Sequence, residues 1–204
     1  MGTSLADARA GASRCRARRP AYTASMQAPE VTDRDLYALA EQAGRALRSA
    51  GWRVATAESC TAGWIAKALT DVPGSSQWVE CGYVTYSNAA KVRDLGVDTR
   101  TLEAHGAVSE AVVRQMVRGA LRVSGAQVAV AVSGIAGPDG GTAGKPVGTV
   151  WFAVAAPSLR EPQCVVHQFA GDRQAVRRQA VAHALRQVLA ALGTVSGAGG
   201  ATGS

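Results

Sequence analysis

Residues 52–70, WRVATAESCTAGWIAKALT, decide the fold because they lead from a strand into a helix through a short polar turn. The apolar residues of 52–57 predict a strand, and the spacing of apolar residues over 61–70 predicts a helix. A hydroxyl of Ser59 or Thr61 in this turn would lie near free main-chain N–H groups and the positive end of the helix dipole, which favour an anion. The alternative is that either residue only caps the helix.

Strands and helices alternate on both sides of this stretch. Upstream, Thr32 and Asp35 form the start signal of an amphipathic helix that continues to Gly51. Downstream, the sequence predicts a strand at 79–86, a short helix from a cap at Asn88 to Leu95, a turn around Leu102, a helix opened by Ser109, a buried strand at 127–132, a hairpin of strands at 149–155 and 163–169, and a helix at 172–191. This order indicates one α/β domain with a mixed sheet, helices on both faces, and a site formed by loops at strand ends.

The charge of the chain is uneven. The net charge is +7, but residues 1–29 hold five arginines and one acid, while the chain from Glu30 onward has 17 basic and 14 acidic residues. Aromatic residues make up only 5%, which argues against a platform for stacked bases. A tail can be basic without forming a binding surface, whereas a nucleic-acid interface needs clustered positive charge on folded structure. We therefore expect no nucleic-acid partner for the folded part.

The two ends differ in composition from the rest. Residues 1–30 predict a disordered basic extension, with an organellar transit peptide or translation from Met26 as alternatives, and 193–204 predict a disordered glycine-rich tail. The folded domain is then 31–192. No apolar run approaches the length of a membrane span. Four scattered cysteines and three distant histidines show no metal-ligand spacing, and they suit a reducing cytoplasm.

Two further segments carry candidate chemistry. In VTYSNAAK, residues 84–91, Tyr86 at a strand end and Lys91 one turn into a helix could converge, and a desolvated lysine could act as a base. A solvated Lys91 is the alternative. The glycine-rich loop 133–148 could turn N–H groups toward an anion or could be a simple connector, and it matches neither common phosphate motif. Cys60 could be a nucleophile, although a buried structural thiol is the default.

Together the segments ESCTAGWIAKALTDVPGSS, GYVTYSNAAKVRDLGV, HGAVSEAVV, VSGIAGPDGG and KPVGTVWFAV resemble the CinA C-terminal domain family in its stand-alone form. The resemblance covers roughly residues 33–191. It implies a three-layer α/β/α sandwich with a mixed, mostly parallel sheet. It also implies hydrolysis of the carboxamide of nicotinamide mononucleotide to nicotinic acid mononucleotide and ammonia in pyridine nucleotide (NAD) recycling, without a metal or other cofactor. A homodimer is a further expectation.

The resemblance also implies roles for single residues. Ser59 resembles the nucleophile, Lys91 the base and Tyr86 its polar partner, although the hydroxyls of Ser59, Thr61 and Ser133 could exchange roles. The substrate 5′-phosphate would be held by the glycine loop first, with Lys145 or Arg173 as alternatives. The residues that the resemblance assigns to substrate binding are Thr61, Gly63, Asn88, Ser133, Gly134, Ala136, Gly137 and Lys145.

One position departs from the family pattern. The family usually has glycine where this chain has Ala62. We expect Ala62 to lie in the first helical turn, where alanine is harmless. If the position needed a positive φ, the methyl group would be unfavourable. The competing functional hypothesis is a non-catalytic nucleotide-binding module, or an interaction module associated with competence and DNA damage.

Overall fold

The computed structural model describes residues 30–193, so the predicted N-terminal extension (apart from Glu30) and the predicted tail (apart from Gly193) lie outside the described residues. Helices and strands alternate up to residue 95, with a 3-10 turn at Ser75–Gln77, and two further helices, three strands and one helix then follow in succession. The elements are α1 Asp33–Ala50, β1 Val54–Glu58, α2 Trp64–Thr70, β2 Val79–Val84, α3 Asn88–Leu95, α4 Thr99–His105, α5 Glu110–Ser124, β3 Val128–Gly134, β4 Thr149–Ala155, β5 Gln163–Gln168 and α6 Arg173–Gly193.

The strands form one sheet in the order β2-β1-β3-β4-β5. β1 is parallel to both β2 and β3, whereas β4 is antiparallel to its neighbours β3 and β5. β4 alone therefore runs against the other four strands, which confirms the mixed, mostly parallel sheet and the final hairpin. Glu58 pairs in register with Val84 and Val132, so β1, β2 and β3 end side by side. The loops that follow them meet at one edge of the sheet.

Helices cover both faces of the sheet. β3 shows why, because Val128, Val130 and Val132 pack into a core with α1, α2 and α6, while the alternate residues Ala129 and Ala131 pack against α5. Successive side chains of a strand point to opposite faces. All five residues of β1 are buried, as expected for a central strand covered on both sides. The result is the three-layer α/β/α arrangement.

Several helix ends follow the sequence signals and two do not. Thr32 caps α1 in a capping box with Asp35, and Ser109 caps α5, as predicted. The prediction that Asn88 caps α3 is wrong by one residue, because the Ser87 hydroxyl accepts from the Ala90 N–H at 3.1 Å. α2 begins at Trp64 rather than at the predicted residue 61, because the backbone before it turns through left-handed conformations.

Residues 30–193 contain neither a candidate membrane-spanning helix nor a candidate metal-ion site. No helix within residues 30–193 combines the length and apolar character that crossing a bilayer requires. Over the same range, no three His, Cys, Asp or Glu side chains are grouped as a metal ion would need.

Candidate active site

Ser59 and Lys91 meet at the edge where the parallel strands end. Ser59 directly follows β1, and its N–H donates to the Val132 carbonyl at 3.0 Å, which ties the turn to β3. On the other side, the Thr85 N–H donates to the Glu58 carbonyl at 2.8 Å, so the chain leaving β2 is also fixed to β1. Lys91 lies in the first turn of α3 and reaches back to this junction.

The Lys91 amine has three close partners. Its Nζ lies 3.1 Å from the Ser59 Oγ, 2.8 Å from the Thr85 carbonyl oxygen and 3.4 Å from the Tyr86 carbonyl oxygen. The two carbonyls can only accept, so they suit the two N–H groups of a neutral amine. The lone pair of that amine is then left for the Ser59 hydroxyl. The geometry therefore fits a lysine that accepts a proton from serine.

Burial supports the neutral form of this lysine. The Lys91 side chain is only 1% exposed, and burial lowers its pKa, while the Cys60 thiol nearby acts weakly in the opposite direction. No carboxylate of residues 30–193 forms an ion pair with Lys91 that would restore the charged form. The alternative of a solvated Lys91 is therefore wrong.

Cys60 lies beside the pair but is protected from chemistry. Burial raises the pKa of its thiol to about 12, so the thiolate that would be needed for attack is scarce at neutral pH. A protonated thiol also carries no charge that could hold Lys91 in its ammonium form. The structural role that the sequence favoured for Cys60 agrees with this burial.

Glu58 is a fully buried carboxylate that sequence reasoning did not single out. It accepts hydrogen bonds from the Thr56 and Thr61 hydroxyls at 3.1 and 2.7 Å, and from the N–H groups of Ile65 and Ala66 at 3.0 and 2.8 Å. These two N–H groups belong to the first turn of α2, so Glu58 occupies the helix end that the sequence had assigned to an anion. The sequence signal that could have identified Glu58 is its position as an acid at the end of a strand that leads into a helix, whose N-terminus attracts negative charge.

The three candidate hydroxyls have different partners. The Thr61 hydroxyl donates to Glu58, and the Ser133 hydroxyl donates to the Ala107 carbonyl at 2.9 Å. Both side chains are buried, whereas Ser59 is half-buried and contacts Lys91. The structure thus separates hydroxyls that the sequence left interchangeable.

The Tyr86 side chain lies elsewhere than predicted. It is 59% exposed, and its hydroxyl accepts from the Arg173 guanidinium at 3.1 Å. Only the Tyr86 main-chain carbonyl contacts Lys91, because β2 ends at Val84 and the chain then turns outward. Arg173 also donates to the Gly137 carbonyl at 2.8 Å, so it joins Tyr86 to the glycine loop.

The glycine loop approaches the site through its first residues. Gly134 closes β3, and a Cβ there would lie 2.9 Å from the Thr149 carbonyl oxygen, so no side chain fits. Ala136 and Gly137 are buried, and Gly137 has a φ of 84°. The Ile135 N–H donates to Thr149 at 2.9 Å and is not available to a ligand. The loop is packed onto the sheet at this end.

Three other predicted binding residues make no hydrogen bond to Ser59 or Lys91. The Lys145 amine donates to the His105 carbonyl at 2.7 Å. Asn88 is exposed on a groove of about 570 Å³ along α3 and α4, and neither Ser59 nor Lys91 lines this groove. Gly63 precedes α2 with a φ of 88°.

The prediction for Ala62 is wrong. Its φ is 51°, in the left-handed region, and it lies before α2 rather than inside its first turn. Two consecutive left-handed residues, Ala62 and Gly63, turn the chain between Ser59 and α2. Glycine adopts this conformation more readily than alanine, so the methyl group of Ala62 is unfavourable here.

Arg177 of α6 holds the same turn from outside. Its guanidinium donates to the Cys60 carbonyl at 3.0 Å and to the Thr61 carbonyl at 2.9 Å. In the sequence, Arg177 lies among several arginines near the start of the last predicted helix. No local pattern links it to residues more than a hundred positions earlier, so only the fold reveals the contact.

Comparisons with known proteins agree with this architecture. The family model described as CinA C-terminal domain matches residues 36–192. The nicotinamide-nucleotide amidohydrolase PncC of Escherichia coli strain K12 is 55% identical over 159 residues, which cover 76% of this chain and 94% of that protein. The protein of the same name from Pseudomonas putida is 57% identical over 151 residues, covering 74% and 93% of the two chains.

A solved structure shows the same fold. The crystal structure of a competence-damaged protein (CinA) superfamily protein from Klebsiella pneumoniae 700603 superposes with a TM-score of 0.74 at 42% identity, covering 78% of this chain and 98% of that one. The family match spans nearly all of the described residues, and the two relatives exceed 50% identity. The chain therefore belongs to the CinA C-terminal domain family.

Proposed function

We propose that this protein is a nicotinamide-nucleotide amidase, which hydrolyses the carboxamide of nicotinamide mononucleotide to nicotinic acid mononucleotide and ammonia. The observation that carries the proposal is the contact of a buried, unpaired Lys91 with Ser59. It is supported by relatives named as nicotinamide-nucleotide amidohydrolases, which match this chain over more than nine-tenths of their own length. A role in recycling pyridine nucleotides in the cytoplasm is part of the proposal.

The first step forms an ester on Ser59. Lys91 takes the hydroxyl proton as the Ser59 Oγ attacks the carboxamide carbon, and the carbonyl oxygen becomes an oxyanion. When this intermediate collapses, the C–N bond breaks and Lys91 returns the proton to the leaving nitrogen. Ammonia departs, Lys91 is neutral again, and the acyl group stays on Ser59.

The second step frees the acid. A water molecule gives a proton to Lys91 and attacks the ester carbon, and the proton then returns to the Ser59 Oγ as the C–O bond to serine breaks. The carboxylic acid formed gives the second proton of that water molecule to solvent, and nicotinic acid mononucleotide leaves as a carboxylate. The dyad ends in the state in which it began, so the cycle needs no electron acceptor or donor.

The substrate phosphate would bind beside the dyad. We place it at the glycine loop, with the Arg173 guanidinium as a cation in contact with that loop, because Arg173 is held between the Gly137 carbonyl and the Tyr86 hydroxyl. Lys145 is a weaker candidate because its amine is already bonded to the His105 carbonyl. The predicted homodimer is not needed for this arrangement.

Ammonia release from nicotinamide mononucleotide tests the proposal. Ser59→Ala and Lys91→Ala should each lower the rate by about 10²–10³-fold, since nucleophile and base act in the same step. Lys67→Ala is the matched control, because that lysine is exposed and pairs with Asp71 at 2.6 Å, away from Ser59 and Lys91 in the hydrogen-bond network of residues 30–193. Equal ammonia release by the wild type and all three variants would exclude the amidase and favour the non-catalytic nucleotide-binding module.

A further inference from the structure

The turn that carries the nucleophile is fixed by a side chain from the far end of the domain. The Arg177 guanidinium binds two successive carbonyls of this turn, those of Cys60 and Thr61. Its Cζ also lies 5.4 Å from the centre of the Trp64 ring, within cation–π range. Two hydrogen bonds and one aromatic face define the position of this rigid, planar group.

The two carbonyls determine where the N–H groups of the turn point. In a planar trans peptide the N–H of the next residue points opposite to the carbonyl. Arg177 therefore lies on the carbonyl side, and the N–H groups of Thr61 and Ala62 point away from α6. The Ala62 N–H donates to the Ser59 carbonyl at 3.1 Å and closes the turn.

The Thr61 N–H is left without an acceptor among residues 30–193. The Ser59 N–H donates to Val132, and the Ile65 and Ala66 N–H groups of α2 donate to Glu58, so the N–H groups of this turn that have no acceptor within residues 30–193 include those of Thr61 and Cys60. Attack by Ser59 creates an oxyanion that needs a main-chain donor close to the nucleophile. The Thr61 N–H is two residues from Ser59 and matches that requirement.

We propose that Arg177 is a positioning residue that aims the Thr61 N–H at the oxyanion formed on Ser59. Hydrogen bonds from a cation are stronger than neutral ones, and they polarise the peptide unit of Cys60 and Thr61, so the opposite N–H becomes a better donor. The inference rests on the proposed amidase activity. Within residues 30–193 the Arg177 guanidinium hydrogen-bonds to main-chain carbonyls of the turn and to no other group, and it lies over the Trp64 ring.

Substitution of Arg177 by lysine tests the inference. Arg177→Lys keeps the charge but cannot span two carbonyls, so kcat for nicotinamide mononucleotide should fall about 10- to 100-fold with KM within about 2-fold. Arg178→Lys is the matched control, because Arg178 neighbours Arg177, lies 5.2 Å from the same Trp64 ring and pairs with Asp33. Its kcat should equal that of the wild type.

A second variant separates positioning from general stability. In Arg177→Ala, low millimolar guanidinium should restore part of the lost kcat, because the free ion can bridge the two carbonyls. Loss of Tm in the Arg177 variants, with kcat per folded molecule unchanged, would overturn the inference, as would absence of rescue. A wild type without ammonia release would instead refute the amidase proposal itself.

Discussion

At the scale of single residues, Lys91 is the side chain whose surroundings most need a functional reason. A lysine that is 1% exposed, with carbonyls but no carboxylate as partners, is costly to keep charged. From the local sequence, both a desolvated base and a solvated lysine were open, and the resemblance favoured the base. The reason is that Lys91 is buried by the turn between β1 and α2, which no local window contains.

The lowered pKa of Lys91 predicts the pH dependence of the reaction. The base must be neutral, so kcat/KM for nicotinamide mononucleotide should rise with pH and reach a plateau below 10.5, the ordinary pKa of lysine. Burial is the physical cause. Ammonia release measured over roughly pH 6 to 10 checks the predicted pH profile. The response of the coupling enzyme must be calibrated at each pH. A rate that still rises about tenfold per pH unit at the top of this range, with no approach to a plateau, would contradict a desolvated base.

Substitution of threonine by valine should change the free energy of unfolding in opposite directions at two buried positions. The Thr85 Oγ1 has no hydrogen-bond partner among residues 30–193, whereas the Thr56 hydroxyl donates to Glu58 at 3.1 Å. Thr85→Val should therefore raise the free energy of unfolding by about 1 kcal/mol, and Thr56→Val should lower it by about 1–3 kcal/mol. Urea unfolding of both variants measures the difference. Equal changes in the same direction would refute the explanation.

The left-handed conformation of Ala62 predicts that glycine stabilises this position. Its φ of 51° strains an L-residue, so Ala62→Gly should raise the free energy of unfolding by about 0.5–1 kcal/mol after the entropy cost of glycine. Ala66→Gly in α2 is the control and should cost about 1 kcal/mol. Thermal unfolding of the two variants checks the sign. A lower Tm for Ala62→Gly would show that the strain is absorbed elsewhere.

At the scale of elements, the sequence predicted every strand and nearly every helix, and it erred at their ends. The strand predicted to run to residue 86 stops at Val84, and the helix predicted from residue 61 begins at Trp64. Apolar periodicity identifies elements well because each buries one face. Their ends depend on partners far along the chain, such as Glu58, which takes the first N–H groups of α2.

The packing of α6 on β5 predicts that stability falls in mild acid. His183 of α6 lies 4.0 Å from His167 of β5 between ring centres, and burial, then the charges of His167 and Arg186, lower its pKa from 6.5 to about 4. The unfolded chain binds the proton more readily than the folded one, so stability is present above 6.5 and is lost as the pH falls toward 4.

His183→Phe tests this dependence because it keeps an aromatic ring against Phe152, which lies 4.6 Å from His183 between ring centres. Urea midpoints should decrease between pH 6.5 and 4 for the wild type and decrease less for the variant. If the urea midpoints of the two proteins decreased equally with pH, groups other than His183 would be responsible for the acid sensitivity.

At the scale of the whole molecule, most of the net charge lies outside the described residues. Residues 1–29 contribute +4 of the total +7, and the chain from Glu30 onward has 17 basic and 14 acidic residues. Deletion of residues 1–29 should leave kcat and Tm unchanged, because the hydrogen bonds described for Ser59, Lys91 and Arg177 join residues within 30–193. Any binding of duplex DNA by the full chain should be lost when residues 1–29 are deleted. DNA binding that survives at physiological salt would contradict this.

The contacts of α6 also set the order in which the protein gains activity during synthesis. Ser59 and Lys91 emerge from the ribosome early, but Arg173 and Arg177 lie on the last described element. A nascent chain that has reached only Phe169 lacks the helix that covers Val130 and Phe152. It would offer chaperones an apolar sheet face, and the turn around Ser59 would lack its contacts with Arg177. The proposed activity therefore cannot precede the synthesis and docking of α6.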